Sequence, residues 1–385
     1  MTRPSLNTGP LGIAFALLLV GALYLATAHS WRQSALFLVG AGAGMVLYHA
    51  AFGFTSSWRA FIAEGRGDGL RAQMLMLAIT SAVFFPAIAA GSLLGQPVRG
   101  LIAPVGLSVA VGAFIFGVGM QLGGGCASGT LYTAGGGSVR MLVTLAAFIA
   151  GSVLGTLHMP IWEHMPSFGS LAFVPMYGAP VALAMNLAAF GAIAGVSVLV
   201  ERQVNGGMLR RDPSALRARS WLRGPWPLVA GAVGLAAVNI ATLVLAGRPW
   251  GVTAALALWG SKALQATGVD VASWPYWQVR SAELRASVLA DVTSVMNFGI
   301  IIGAFAAAGL AGRFAPAWRV PLRSLAAAIL GGLMLGYGAR IAYGCNIGAY
   351  FSGIASSSLH GWLWFAAALA GNVLGTRLRP LFGLR

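Results

Sequence analysis

The chain has 385 residues, 58% of them hydrophobic and 8% charged, with a mean hydropathy of +0.81. Such a surface cannot be kept in water, so the composition reads as a polytopic membrane protein. The formal charge of +16 comes from 23 arginines and the single Lys262 against eight carboxylates; in a membrane protein this excess is topogenic. Nucleic acid therefore drops out as a partner, and an anion drawn toward basic mouths is the functional addition.

In chain order, apolar runs of about 20 residues predict ten spans, at 11–28, 31–50, 72–95, 101–120, 139–157, 178–200, 226–246, 287–311, 321–341 and 360–377. The first run, Leu11 to Ala28, is long enough to remain as a span rather than be cleaved as a signal peptide. Four further apolar pieces are too short or too broken to cross, starting at Gly53-Phe54-Thr55, Gly123-Gly124-Gly125-Cys126, Gly251-Val252-Thr253 and Gly344-Cys345-Asn346. Irregular backbone is excluded from lipid, so these pieces read as re-entrant half-helices lining the protein interior.

The pieces repeat. Gly117, Gly119, Gly125, Cys126 and Gly129 fall on Gly336, Gly338, Gly344, Cys345 and Gly348, and Gly-Ser-Val-Leu-Gly-Thr from Gly151 matches Gly-Asn-Val-Leu-Gly-Thr from Gly371. Gly53-x-Thr55 matches Gly251-x-Thr253. The division is an extra N-terminal helix at 1–30, a first repeat at 31–157, a linking helix with a basic loop at 158–225, and a second repeat at 226–385. Equivalent spans are five apart, an odd number, so the repeats are inverted relative to each other. The predicted fold is an all-α polytopic membrane protein with two inverted repeats, four re-entrant half-helices and about 10 transmembrane spans.

The loop from Glu201 to Arg223 carries Arg202, Arg210, Arg211, Arg217, Arg219 and Arg223 and is assigned to the cytoplasm. Both termini are then cytoplasmic, and the basic residues divide 17 inside to 7 outside, as the positive-inside rule requires. Cys126 is reached from the inner side and Cys345 from the outer side.

These are the only two cysteines, one per repeat, each at a glycine break leading into a helix start. The positive end of a half-helix favours an anion, and a thiol is a soft, weak hydrogen-bond donor suited to a sulfur-bearing ligand. The candidate path residues are Cys126, Cys345, Gly124, Gly125, Ser128, Thr130, Gly344, Asn346, Thr55, Thr253 and Arg340, the last placed to gather anions at the outer mouth or to snorkel there. Gln121, Tyr132, Tyr343 and Tyr350 flank the thiols. His158, Glu163 and His164 share an outer loop at no recognisable zinc spacing, and no metal or cofactor is implied. No carboxylate pair at mid-membrane suggests a proton relay, and P-loop, nucleophile-elbow and HExxH motifs are absent.

At these motifs the sequence resembles the YeeE/YedE family, in Gly-Gly-Gly-Cys-Ala-Ser-Gly-Thr (Gly123 to Thr130), Tyr-Gly-Cys-Asn-Ile-Gly (Tyr343 to Gly348) and Ala257-Leu258-Trp259-Gly260. The resemblance implies thiosulfate uptake across the bacterial inner membrane through an hourglass of helices, the ligand passing along cysteines by S–H hydrogen bonds without redox change. It also implies a small cytoplasmic sulfur-carrier protein as a partner, and a third cysteine in the first short piece, where this chain has Thr55. A hydroxyl replaces that relay step, or the cargo is another small sulfur or selenium species. The reading is an inner-membrane permease for a small sulfur-containing anion, not an enzyme; the alternative is a sulfur-transfer component that forms a persulfide on one cysteine.

Overall fold

The computed structural model describes residues 6–209 and 220–384. Arg210, Arg211, Arg217 and Arg219 of the expected basic loop lie outside the described residues, as do Arg3 and Arg385. The protein is an all-α polytopic membrane protein. Its long helices are α1 (Thr8–Ala28), α2 (Trp31–Ala50), α4 (Asp68–Ala90), α5 (Leu107–Gly123), α7 (Val139–Glu163), α8 (Ala179–Asn205), α9 (Leu228–Ala246), α11 (Val292–Ala311), α12 (Leu322–Ile341) and α13 (Leu359–Leu378). The short pieces are α3 (Phe54–Glu64), α6 (Ala127–Gly135), α10 (Thr253–Ala266) and a π-helix at Asn346–Gly353. Nine helical segments among the described residues are long and apolar enough to cross a membrane.

Helix ends follow local chemistry. Ser30 caps α2 through the Gln33 N–H, Asp291 caps α11 through the Ser294 N–H at 2.8 Å, and Gly91, Gly247 and Gly312 end α4, α9 and α11 in the left-handed conformation that glycine adopts without strain. The span expected at 101–120 starts later, at Leu107, because Pro104–Gly106 runs extended and pairs antiparallel with Ser167–Ser170. Proline in an extended edge segment costs no ladder bond. Glu201, expected in a loop, lies in the last turns of α8, fully buried. It is 2.7 Å from the Arg71 guanidinium and accepts from the N–H groups of Gly67 and Leu209, so the buried charge is fully satisfied.

Packing within the bundle follows the duplication. A Cβ at Gly117 of α5 would meet the Ala368 carbonyl of α13, and one at Gly371 of α13 would meet the Phe114 carbonyl of α5. The equivalent positions repeat this between α12 and α7: Gly336 lies against the Phe148 carbonyl and Gly151 against that of Leu333. Small residues of this kind let membrane helices approach closely where lipid provides no hydrophobic drive. The equivalent helices themselves run antiparallel: Gly112 of α5 is level with Gly338 of α12, and Gly123 with Gly331. Likewise Gly231 and Gly234 of α9 face Ala50 and Val46 of α2. An inverted pair requires this arrangement.

These contacts predict a positional contrast. Gly336→Leu forces two backbones apart and should cost about 1–3 kcal/mol or more, whereas Gly191→Leu, where nothing lies within 4 Å, should be silent. Thermal unfolding in detergent, followed by fluorescence, checks this: Gly336→Leu melts several degrees lower and Gly191→Leu melts with wild type.

Candidate functional site

At the first thiol, α5 stops at Gly123 and the chain turns through Gly124, whose φ of +87° requires glycine. Gly125 lies over the first turn of α6, where a Cβ would come within 3.1 Å of the Thr130 nitrogen. Cys126 then caps α6: its Sγ accepts from the Gly129 N–H at 3.4 Å and lies 3.4 Å from Ser128 Oγ. Thr130 Oγ1 donates to the Cys126 carbonyl at 2.8 Å. The predicted residues Gly124, Gly125, Cys126, Ser128 and Thr130 thus form one turn. The carbonyls that α5 leaves open are met by two arginines. Arg140 donates through Nη1 to Gly123 at 2.6 Å and through Nη2 to Leu122 at 2.7 Å, and Arg379 donates to Gln121 at 2.8 Å. Burial, then repulsion from Arg59 and Arg140, brings the Arg379 guanidinium down to about 10, still charged at neutral pH.

The second thiol has the same frame with different partners. Gly344 lies over the first turn of the π-helix, a Cβ there falling 2.6 Å from the Ala349 nitrogen. Cys345 stands at the N-cap, and its carbonyl accepts from the N–H of Tyr350, five residues on, at 3.3 Å. Such π-turns are rare and favour functional places. The donors here are neutral: Ser108 Oγ meets the open Ile341 carbonyl at the end of α12 at 2.5 Å, and Trp364 Nε1 meets the Gly344 carbonyl in the break at 3.1 Å. Both thiols are free and 1% exposed. Asn346, next to Cys345, is fully buried, and neither its Nδ2 nor its Oδ1 has a partner.

The other two short helices bring their starts to the same region. Thr55 on α3 is buried with Oγ1 unpartnered. Its carbonyl accepts from Gln121 Nε2 at 3.2 Å, and Phe54 and Trp58 pack edge-on against Tyr350 of the π-helix. At α10, Ser352 Oγ of the π-helix donates to the Trp250 carbonyl at 2.7 Å, and Asn297 Nδ2 holds the Val252 carbonyl at 2.9 Å.

Two cavities stand at opposite ends of α12. One, of about 390 Å³, is lined by Thr253, Arg340 and Gly344 among the predicted residues, together with Arg99 and Arg248. Arg340 donates to Tyr276 Oη at 2.5 Å and, with Arg280, flanks the Tyr276 ring at 5.3 and 4.3 Å, so it is held at the cavity wall. The other cavity, of about 470 Å³, lies beyond the C-terminal end of α6 and is lined by Tyr132, Thr133, Arg140, Arg319 and Ser324. Sequence reading passed over Arg99, Arg140, Arg248 and Arg319 because an arginine at a span end signals topology before function. The repeat offers one clue: Arg140 aligns with His360, so the duplication is broken there.

Comparison with known proteins agrees with this architecture. The family described as sulphur transport matches residues 49–374. A relative named probable transporter YedE, from Escherichia coli, is 33% identical over 168 residues, 42% of this chain and 41% of its own length; the match thus spans less than half of that protein. Thiosulfate transporter TsuA of Spirochaeta thermophila is 26% identical over 276 residues, 68% of this chain and 74% of its own. Its Escherichia coli namesake is 24% identical over 349 residues, 87% and 91%.

Closed breaks have a chemical consequence. In mild detergent a bulky maleimide should modify both thiols far more slowly than free cysteine, while the unfolded chain takes up two equivalents, one for each cysteine. Two fast equivalents in the folded protein would contradict the closed geometry.

Proposed function

The chain belongs to the sulphur-transport family, and on that premise we propose that it is a permease carrying a small sulfur-containing anion, thiosulfate first among them, inward across the bacterial inner membrane. The observation that carries the reading is the pairing of two free, buried thiols at the N-caps of symmetry-related short helices, one of them beside an asparagine whose amide has no partner. A buried amide left open in this way costs about 1–3 kcal/mol, a cost removed when an oxyanion accepts from Nδ2.

The anion gathers in the cavity of Arg99, Arg248 and Arg340, on the side assigned to the outside, with both termini in the cytoplasm. It then passes Cys345 and Cys126 in turn, offered S–H donors at each. The electron-rich terminal sulfur of thiosulfate accepts from a thiol, and its oxygens accept from Asn346, Thr55 and Ser128. No bond to cysteine forms, so this is transport and not catalysis. Millimolar binding needs only about 4 kcal/mol, which a few neutral contacts supply. A small sulfur-carrier protein receiving the cargo on the cytoplasmic face is part of the proposal, supported by the arginines of that face.

The test is growth on thiosulfate as sole sulfur source, in a strain without sulfate and thiosulfate importers, at verified equal membrane levels. Wild type should rescue, while Cys126→Ala and Cys345→Ala should each lower thiosulfate uptake at least tenfold. Arg340→Gln should raise the half-saturating concentration several-fold and leave the maximal rate near wild type. Rescue by both alanine variants would overturn the thiol path; failure of wild type would overturn thiosulfate as cargo.

A further inference from the structure

The duplication treats its two breaks unequally. At Cys345 the last carbonyl of the preceding helix, that of Ile341, is held by the Ser108 hydroxyl, the Gly344 carbonyl in the break itself by the Trp364 indole, and the nearby Arg340 is held by a tyrosine away from the backbone. At Cys126 the last carbonyls of the preceding helix, those of Gln121, Gly123 and Leu122, the last of them the equivalent of Ile341, are held by guanidinium groups. The position of Arg340 is taken there by the neutral Gln121, and the position of His360 by Arg140. Cation and break are therefore separate on one side and joined on the other.

Arg140 makes three hydrogen bonds, to Gly123, Leu122 and Ser324. Among the described residues it makes no ion pair, and it lines the cavity of about 470 Å³ together with Arg319. Its charge is thus met by carbonyl and hydroxyl dipoles alone. A carbonyl is a weaker partner for a guanidinium than an oxyanion, whose bidentate, charge-assisted hydrogen bonds are shorter and roughly twice as strong. The same two donors, Nη1 and Nη2, serve in both pairings.

We propose that the Arg140 cavity is an oxyanion site at the inner end of the path and that Arg140 is a positioning residue latching the Cys126 break. With the cavity free of oxyanion, the guanidinium holds the Leu122 and Gly123 carbonyls, fixing the turn through Gly124 and Gly125 and keeping the thiol closed. An oxyanion entering between Arg140 and Arg319 draws Nη1 and Nη2 away, the carbonyls lose their donors, and the turn that carries Cys126 loosens. Thr144, whose Oγ1 also reaches the Gly123 carbonyl at 3.3 Å, is the secondary hold. The Cys345 break, with no cation on its carbonyls, has no such response. The identity of the anion rests on the transport reading; the latch itself does not.

The experiment measures N-ethylmaleimide modification of each cysteine in the purified full-length protein, resolved by peptide mass spectrometry, with chloride, sulfate or thiosulfate at equal ionic strength. In wild type, sulfate and thiosulfate should speed Cys126 modification several-fold over chloride and leave Cys345 unchanged. Arg140→Gln should raise the rate at Cys126 about tenfold in chloride and abolish the response to oxyanions. Arg140→Lys, a single ammonium in place of a fork, should fall between. Should Arg140→Gln fail to fold, Arg319→Gln provides the second reading: it leaves the latch bonds intact and should weaken the oxyanion response with an unchanged rate in chloride. A Cys126 rate in folded Arg140→Gln as slow as wild type, or an oxyanion response that survives both substitutions, overturns the proposal. A wild-type protein that responds to sulfate but transports no thiosulfate leaves the latch standing and removes only the cargo.

Discussion

A helix that stops inside a membrane leaves carbonyl groups that neither lipid nor water will satisfy. Much of this protein answers to that constraint. The chain interrupts its helices where a duplicated bundle can supply donors: Arg140 at the start of α7, Ser108 at the start of α5, Trp364 near the start of α13 and Arg379 just past its end. Ser108 and Arg379 each reach across to the break of the other repeat, so each break is completed only when helices of both repeats have docked. The close glycine contacts between α7 and α12, and between α13 and α5, are what hold those donors in reach. Packing and site geometry are coupled through the same few helices.

The two repeats agree in backbone and differ in chemistry. Glycines, thiols and close contacts occupy matching places, while Arg340 aligns with Gln121, Arg140 with His360 and Asn346 with Ala127. An inverted duplication by itself gives two equivalent mouths and no direction. Substitution at these three pairs gives one mouth a guanidinium held at a cavity wall by Tyr276, and the other a guanidinium engaged on the break itself. Asymmetry of this kind costs little, because exchanging polar side chains on a fixed frame leaves the glycine packing untouched.

The frame was legible in the sequence because its signals are long or repeated. Ten apolar runs, four glycine starts and two matched cysteine motifs needed no tertiary information, and helix ends missed by a few residues at Leu107 and Val292 reflect extended or capped segments that hydropathy does not see. The site was legible in part. Cys126, Ser128 and Thr130 share one turn, and Thr253, Arg340 and Gly344 line one cavity. Arg99, Arg248 and Arg319 did not stand out, since a cavity is made by segments distant in the chain. Tyr276 was hidden in a stretch between α10 and α11 with no counterpart in the first repeat, where only Gly65 to Gly67 join α3 to α4.

On the proposed transport reading, the placement of charge relative to the thiols meets what conduction demands. A guanidinium about 4 Å from an anion at an effective dielectric near 20 attracts it by roughly 4 kcal/mol, about a thousandfold in residence if spent at the narrowest point. At a cavity open to water the same cation is screened and still concentrates its ligand. Five arginines line the two cavities, one of them also holding the carbonyls of a break, and the buried residues near the breaks offer thiols, hydroxyls and amides. On that reading neutral donors of modest strength each hold an anion briefly and pass it on, and sulfur, the softest of them, stands at two positions that the duplication matches.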